Sequence, residues 1–385
     1  MAHTSYTGLR DLRERMFGFR LDTVAELTRL NSDRLRDIEA GADPSVYELE
    51  MLAEAYGLDA DHLWEDPIVI PQAHVASALA SQAEFRELGD MTRARLIRAA
   101  RAAQDLVRLR TLLAQPSQPL PVLARPDPRE PPYKQGALLA HELRAKLSVG
   151  AGPIRSLRDL VTTMLPGVAV LSADLGSEGP AGLAFAYESH GPTLVLNLRG
   201  KNENPSVRRF SLAHEICHLF ADWDHSEPRA TISGYLSDTG LDREQRANGF
   251  AVRFLCPETV VYRLKGVRDE DAIRVLVDEF KLHYRAAQLY LRNEANIHLP
   301  ENGPTALPDH ELESLGTWPA VRDFPLDDVP CERRGPLADL AVRAWCSGQI
   351  SRDECASFLR VTPAAEIERV ADFLGVELTA AALAG

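Results

Sequence analysis

The chain lacks most features of secreted and membrane proteins. Only five cysteines occur among 385 residues, widely scattered and without a C-x-x-C pair, which argues against a disulfide framework and predicts reduced thiols. No run of about 18 apolar residues is present, and the first residues carry no apolar signal core. We therefore expect a cytoplasmic protein without a membrane segment.

Positive charge is also scarce, because Lys and Arg number 43 against 56 Asp and Glu, a net charge of −13. This balance excludes a protein that coats nucleic acid or anionic membrane through bulk electrostatics, so any such contact must be local. The hydrophobic content of 45% is enough for two or three domains, each with its own core.

Breaks in the hydrophobic pattern divide the chain into six segments. Apolar residues at helical spacing, interrupted by glycine and proline, predict four or five short helices over residues 9–64. Seven prolines in residues 116–133 predict a semi-rigid linker. The predicted segments are a helical domain (1–66), a helical connector (67–115), the Pro-rich linker (116–133), a domain with strands and helices (134–300), a second linker (301–335) and a C-terminal helical module (336–385).

Strand patterns precede a long helix in the domain at 134–300. The runs GVAVLSA, GLAFAYE and PTLVLNL predict three short strands, with SHG joining the last two as a hairpin. We expect PTLVLNL to offer an edge to an extended peptide. The next helix, RRFSLAHEICHLFADW, is apolar on nearly all sides, which predicts a central helix buried under the sheet.

Two histidines on this helix predict a metal site. His214 and His218 are four residues apart, so both project from one helical face and can reach one ion. A catalytic zinc site uses three protein ligands and leaves the fourth position for water. Glu215, beside the first histidine, fits the base that takes a proton from this water. A bound cation would also offset the cost of burying these polar groups.

A second buried helix, in the stretch LDREQRANGFAVRFLCP, is expected to supply the third ligand. Glu244 opens it one turn before Asn248, so the carboxylate and the amide share a face and fit a third ligand and its supporting partner. Glu258 and Asp242 compete with Glu244 for the ligand role.

Three further side chains near these motifs have separate interpretations. We interpret Cys217 as a buried structural thiol and His225 as a surface residue beyond the helix end. Tyr235, in the loop between the two helices, is available to stabilise an oxyanion, but its spacing does not assign it that role.

The two helices resemble those of the ImmA/IrrE family of metallopeptidases, in which an xLAHExxH helix precedes an ExxANxFAxxLLMP helix. Here the motifs read SLAHEICH and EQRANGFAVRFLCP, and the resemblance covers residues 136–265. It implies a zincin-like fold, with Glu215 as catalytic acid and base. Cys256 stands where the family usually has Met, a change in packing rather than chemistry. The resemblance implies Zn²⁺ held by three ligands, His214, His218 and Glu244.

Residues 9–64 resemble the helix-turn-helix domain of Cro and phage-repressor-type regulators, a common N-terminal partner of this peptidase domain. Asn31 fits the N-cap of the recognition helix. Residues 1–66 contain seven Arg and no Lys against fifteen Asp and Glu, a balance of −8. Since DNA readers place cations against phosphates, double-stranded DNA binding and docking to a protein or a second copy stay equally open. The candidate contacts are Ser32, Arg34 and Arg36.

Two helical regions outside these motifs each allow two interpretations. Residues 92–112 hold six arginines and one aspartate, which we interpret as a solvated basic face over an apolar stripe, with a phosphate-binding face as the alternative. The module at 336–385 fits a helix pair docked on the peptidase core, or a second helix-turn-helix unit.

The predicted fold is multidomain and mainly α, with a small α+β zincin-like peptidase core and an N-terminal all-α helix-turn-helix domain. By resemblance, the expected function is a regulatory zinc endopeptidase that cleaves a helix-turn-helix repressor and derepresses stress-response or defence genes. The alternative is a helix-turn-helix transcription factor whose peptidase-like domain senses a small ligand without cleaving protein. Single-stranded DNA is a candidate activator, with the arginine-rich helix as its expected site. A protein that uses both modules only for docking is least favoured.

Overall fold

A small mixed β-sheet lies between two hydrophobic cores in the computed structural model of the chain. The structure describes residues 3–71, 74–115, 119–186, 192–223, 229–234, 241–301, 303, 321, 323–361 and 366–378. Most of these residues are helical, which confirms the predicted class of a mainly α protein with a small sheet. In these ranges, no helix combines the length and apolarity that a membrane span requires.

The N-terminal part contains the predicted series of short helices, followed by the connector. Asn31 caps its helix as predicted, since the side-chain oxygen accepts a hydrogen bond from the amide of Asp33 at 2.7 Å. β1 and β2 pair antiparallel, which the helical pattern does not predict. The elements are β1 (His3–Tyr6), α1 (Leu9–Asp11), a π-helical segment (Leu12–Phe17), α2 (Leu21–Thr28), α3 (Ser32–Glu39), α4 (Val46–Tyr56), α5 (Ala60–Leu63), β2 (Ile68–Pro71), α6 (Val75–Ala80), α7 (Ala83–Glu87) and α8 (Asp90–Leu112).

The domain that follows the linker combines four strands with seven α-helices in the described residues. Its elements are α9 (Pro132–Lys146), α10 (Leu157–Met164), β3 (Ala169–Ala173), β4 (Gly182–Ala186), β5 (Thr193–Asn197), a 3-10 helix (Gly200–Glu203), α11 (Pro205–Ala221), β6 (Arg229–Ser233), α12 (Asp242–Leu255), α13 (Glu258–Arg263), α14 (Asp269–Arg274), a π-helical segment (Val275–Glu279) and α15 (Tyr284–Ala295).

The four strands of this domain form one sheet in the order β3-β5-β4-β6. β3 and β5 are parallel, and the other neighbours are antiparallel. The run PTLVLNL forms β5, which pairs on both sides, so the prediction that it offers a free edge is wrong. The edge strands of this sheet are β3 and β6, and the sequence pattern does not reveal β6. β4 and β5 pair as a hairpin requires, while the SHG turn lies outside the described residues.

Alternate residues of these strands enter two different cores. Leu171, Leu183 and Val195 face the core that also contains the N-terminal helices. Leu194 and Leu196 face the second core, beneath α11. Because both faces are buried, the strands read as continuous apolar runs rather than as alternating patterns. α11 contacts β4 and β5, which confirms the predicted central helix under the sheet.

The C-terminal module belongs to the first core. It follows a 3-10 turn (Cys331–Arg333) and forms α16 (Pro336–Cys346), α17 (Arg352–Leu359) and α18 (Ile367–Leu374). α16 packs on α8 and also contacts β3, so the module covers one face of the four-stranded sheet, as the docking interpretation expects. Within the described residues, the N-terminal helices, the connector and this module thus share one core. The six-segment division itself stays a prediction.

The arginines of α8 bind other parts of the chain. Arg93 donates to the carbonyl oxygen of Gly18 at 3.0 Å, and Arg101 pairs with Asp59 at 2.7 Å. Their side chains are only 9% and 11% exposed. The prediction of a solvated basic face is therefore wrong for these two arginines, because helical periodicity does not show which partners lie opposite a face.

α9 and α12 approach closely because each carries a glycine at the contact. A Cβ atom at Gly136 would overlap the carbonyl oxygen of Arg246 and lie 2.6 Å from the backbone nitrogen of Phe250. Helix propensity alone favours alanine over glycine by about 1 kcal/mol, but this overlap outweighs it. We expect Gly136→Ala to lower the free energy of unfolding by about 1–3 kcal/mol in chemical denaturation.

Gly150→Ala is the matched control, since a Cβ atom there meets nothing within 4 Å. An unchanged or raised stability for Gly136→Ala would show that α9 and α12 are not in this close contact.

The histidine that caps α15 is expected to stabilise the fold less as the pH falls. The His283 side chain caps this helix by accepting a hydrogen bond from the amide of Ala286, and its ring lies 5.2 Å from that of Phe210. Burial lowers the pKa of His283 from 6.5 to about 4. The folded state thus favours the neutral ring, so this contribution to stability is complete above pH 6.5 and declines as the pH falls towards 4. The loss is at most about 3 kcal/mol.

We expect His283→Asn, which keeps a capping oxygen without an ionisable group, to lose less stability than the wild type between pH 6.5 and 4. Urea denaturation at stepped pH measures the difference. Parallel pH curves for the two proteins would contradict this role of His283.

Candidate metal centre

The histidine helix, α11, is fixed at its start and buried along its length. Asn204 accepts hydrogen bonds from the amides of Ser206 and Val207, and Pro205 occupies the first helical position, where its missing N–H costs nothing. Three ionisable groups are nevertheless buried in the middle of the helix, and such groups require partners. They are His214, Glu215 and His218, with 5%, 0% and 2% exposure.

α12 brings Glu244 to these histidines. The His214 Nε2 atom lies 3.0 Å from Glu244 Oε2, and the His218 Nε2 atom lies 3.7 Å from Glu244 Oε1. The two Nε2 atoms are 3.1 Å apart. One donor atom from each of the three side chains thus falls within 4.8 Å of the others, a grouping that can hold a metal ion.

The outer nitrogens of both imidazoles face oxygen acceptors. The Nδ1 atom of His214 lies 3.0 Å from Asn248 Oδ1, and that of His218 lies 2.6 Å from Asp222 Oδ2. In the neutral tautomer that donates from Nδ1 to these oxygens, each Nε2 presents a lone pair towards Glu244. A proton on His214 Nε2 serves only the contact with Glu244, whereas a cation between the three side chains would be held by both imidazoles and the carboxylate. The donor set fits Zn²⁺.

The electrostatics of the cluster favour positive charge between the three side chains. Burial alone lowers the pKa of His214, but the hydrogen bond to Glu244 and the charges of Glu215 and Glu244 raise it overall. Burial is also the main reason that the pKa of His218 is lowered. Burial alone would raise the pKa of Glu244, whereas its hydrogen bond with His214 and the nearby histidine charges lower it. Glu244 is thus held as a carboxylate, the form that binds a cation.

Asp222 is a supporting residue that the motif analysis missed. Its carboxylate accepts from His218 and also pairs with Arg246, which in turn contacts Gln135 of α9. Such carboxylate–histidine pairs orient ligand rings and increase their basicity. The available signal is the spacing, since Asp222 follows His218 by four residues and so lies on the same helical face.

Glu215 points towards the sheet from the helix face next to the histidines. Ser233 Oγ donates to Glu215 Oε2 at 3.0 Å, while Oε1 is buried and accepts no hydrogen bond from the residues that the structure describes. Burial raises the pKa of Glu215 to about 8. A buried carboxyl group with one free oxygen is suited to accept and return a proton. Ser233 was also missed, because β6 has no clear strand pattern.

The competing ligand candidates lie elsewhere. Glu258 pairs with Arg253, and Asp242 is exposed in the first turn of α12. Cys217 is buried as expected, and burial raises the pKa of its thiol, which keeps it protonated. His225 and Tyr235 lie outside the described residues.

Two of the three candidate contacts of the N-terminal helices, Arg34 and Arg36, already have partners in the chain. Arg34 donates to both oxygens of Glu48, at 2.7 and 2.8 Å, and this hydrogen bonding lowers the pKa of Glu48 to about 2. Arg36 pairs with Asp33, and Ser32 is the first residue of α3. A contact of Arg34 with DNA or a protein would therefore have to compete with Glu48.

The segment that contains this centre is similar to a known protein family. Residues 164–291 match the family model described as the IrrE N-terminal-like domain, peptidase family M78. Both helices of the candidate centre lie within the match, which suggests a metallopeptidase-type regulator. No curated protein and no solved structure matches the chain.

Proposed function

We propose that the chain is a regulatory zinc-dependent endopeptidase that cleaves a partner protein, a helix-turn-helix transcriptional repressor, and thereby derepresses stress-response or defence genes. The observation that carries the proposal is the convergence of His214, His218 and Glu244 on one point, with Glu215 buried beside it. The match to the IrrE N-terminal-like domain supports the same chemistry.

The proposed mechanism assigns each residue one task. His214, His218 and Glu244 would hold zinc, which when bound polarises the scissile carbonyl group and acidifies water. Glu215 takes the proton from the attacking water and returns it to the leaving amine. Asn248 and Asp222 keep the two imidazole rings in the tautomer and orientation that the site requires.

β6 is the part of the site suited to hold an extended substrate. It lies at the sheet edge, pairs with β4 on one side, and ends at Ser233, which contacts Glu215. A peptide that adds a strand to this edge gains main-chain hydrogen bonds and passes close to the base. This assignment replaces the earlier expectation for β5.

The N-terminal helices are proposed to recruit a protein partner. Residues 1–66 carry a formal net charge of −8, and Arg34 is already paired with Glu48. Little positive charge is therefore left to bind phosphates. A helix-turn-helix repressor, or a second copy of the chain, is the partner that this surface suits better than bare DNA.

A ligand-sensing function is also supported by a cavity of about 740 Å³ between α8 and α17, which lies outside the peptidase-like domain that the alternative names. Pockets for small molecules measure roughly 300–1,000 Å³. Three arginines, Arg101, Arg108 and Arg360, contribute to its wall. Since α8 also packs against α4, a ligand bound there could affect the N-terminal helices without any cleavage.

Co-expression with the repressor-type proteins encoded beside the gene tests the proposal. The wild type and Glu215→Gln are compared by the intact mass of each candidate repressor. We expect two fragments, whose masses add up to the repressor plus one water, with the wild type alone. Intact repressors in every pairing, with zinc bound to the chain and activating stresses applied, would overturn the proposal and favour the ligand-sensing alternative.

A further inference from the structure

Ser233 makes the one hydrogen bond that the Glu215 carboxyl group receives from the described residues. The Oγ atom of Ser233 lies 3.0 Å from Glu215 Oε2, and both residues are 0% exposed. Water therefore does not compete for this contact, and a buried hydrogen bond to an ionisable group is among the stronger ones. The other oxygen, Oε1, is buried and receives no hydrogen bond from the described residues.

The backbone around Ser233 fixes the direction of its hydroxyl group. In the antiparallel pair of β4 and β6, Ser233 lies opposite Gly182, and its carbonyl oxygen accepts from the amide of Ala181 at 2.9 Å. Ala230 and Ile232 face the first core, so alternation along the strand turns Ser233 towards α11. The position of the hydroxyl group is thus set by the sheet and not by a loop.

Gly182 provides the space that this contact needs. A Cβ atom at residue 182 would lie 2.8 Å from Glu215 Oε1 and 2.9 Å from the carbonyl oxygen of Val195. Glu215 therefore occupies the volume that any other residue at position 182 would fill. The carboxyl group is held between the strand that carries Gly182 and the hydroxyl group of Ser233.

We infer that Ser233 is a positioning residue for Glu215, whose hydroxyl group holds one carboxyl oxygen so that the other faces the attacking water. The inference rests on the proposed peptidase function. Ser233 also terminates the edge strand assigned to the substrate, so the same strand would align the peptide and the base. A small displacement of a catalytic group can reduce the rate strongly, on the order of 10²-fold for 1 Å.

Ser233→Ala tests the inference, with Ser211→Ala as the matched control. Ser211 is also buried, and its hydroxyl group donates to the side-chain oxygen of Asn202 at 2.9 Å. Both substitutions remove one buried hydroxyl donor, so a general loss of stability should affect both. With the repressor identified by co-expression as substrate, we expect Ser233→Ala to lower kcat about 10-fold or more, with KM within about twofold. Ser211→Ala should change neither constant beyond that range.

Infrared spectroscopy provides a readout that is independent of activity. The difference spectrum between the wild type and Glu215→Gln isolates the carboxyl band of Glu215, which should shift in frequency in Ser233→Ala but not in Ser211→Ala. An unshifted band, or an unchanged kcat in Ser233→Ala, would overturn the positioning role. If the wild type cleaves no repressor but the band shifts, the peptidase proposal fails while the contact to Glu215 stands.

Discussion

His214→Ala is expected to reduce the zinc content of the purified chain from about one ion to below about 0.1 ion per molecule, because two protein ligands rarely retain zinc without a third. The His214 Nε2 atom is the centre of the cluster, at 3.1 Å from His218 Nε2 and 3.0 Å from Glu244 Oε2. Its removal should also abolish cleavage of the repressor. Inductively coupled plasma mass spectrometry after dialysis measures the metal content.

His141→Ala is the matched control for this experiment. His141 lies on α9 with an exposed side chain, so its loss should change neither the metal content nor the fold. Circular dichroism of all proteins shows whether His214→Ala is folded. Zinc retained near one ion per chain in folded His214→Ala would place the metal elsewhere and contradict the proposed ligand set.

Glu215→Gln is expected to lower kcat/KM for the repressor by at least about 10²-fold, because general acid–base catalysis contributes about 10²–10⁴-fold. The amide fills the same volume but cannot take a proton from water. Zinc content should stay at about one ion per chain, since Glu215 is not among the three grouped ligands. This combination distinguishes loss of the base from loss of the metal.

Glu203→Gln provides the control for the Glu215 variant. Glu203 is exposed in the 3-10 helix just before α11, so the same change of carboxylate to amide occurs near the site without touching it. Its kcat/KM should match that of the wild type. Substantial cleavage by zinc-loaded Glu215→Gln would mean that another group acts as the base.

The sequence predicts those contacts that depend on the spacing of residues along one helix. His214 and His218 lie four residues apart on one helix, and Glu244 and Asn248 repeat that spacing on the next, so each pair had to share a face. The structure brings the two faces together as the motifs suggested. Asp222 follows the same rule from His218 and could have been included.

Contacts that depend on the pairing of strands could not be predicted from the spacing of residues along the chain. Ser233 meets Glu215 only because β6 pairs with β4, and β6 is a five-residue strand without a distinctive pattern. The sheet order likewise depends on long-range pairing, so β5 looked like an edge strand although it is internal. The partners of Arg93 and Arg101 come from distant segments too.

The account depends most directly on the identity of the zinc ligands, which X-ray absorption at the zinc edge of the purified wild-type chain can establish. We expect two imidazole nitrogens at about 2.0–2.1 Å and carboxylate or water oxygen at about 2.0–2.2 Å, as His214, His218 and Glu244 would provide. A sulfur shell at about 2.3 Å, or a spectrum with fewer than two imidazoles, would contradict the proposed centre.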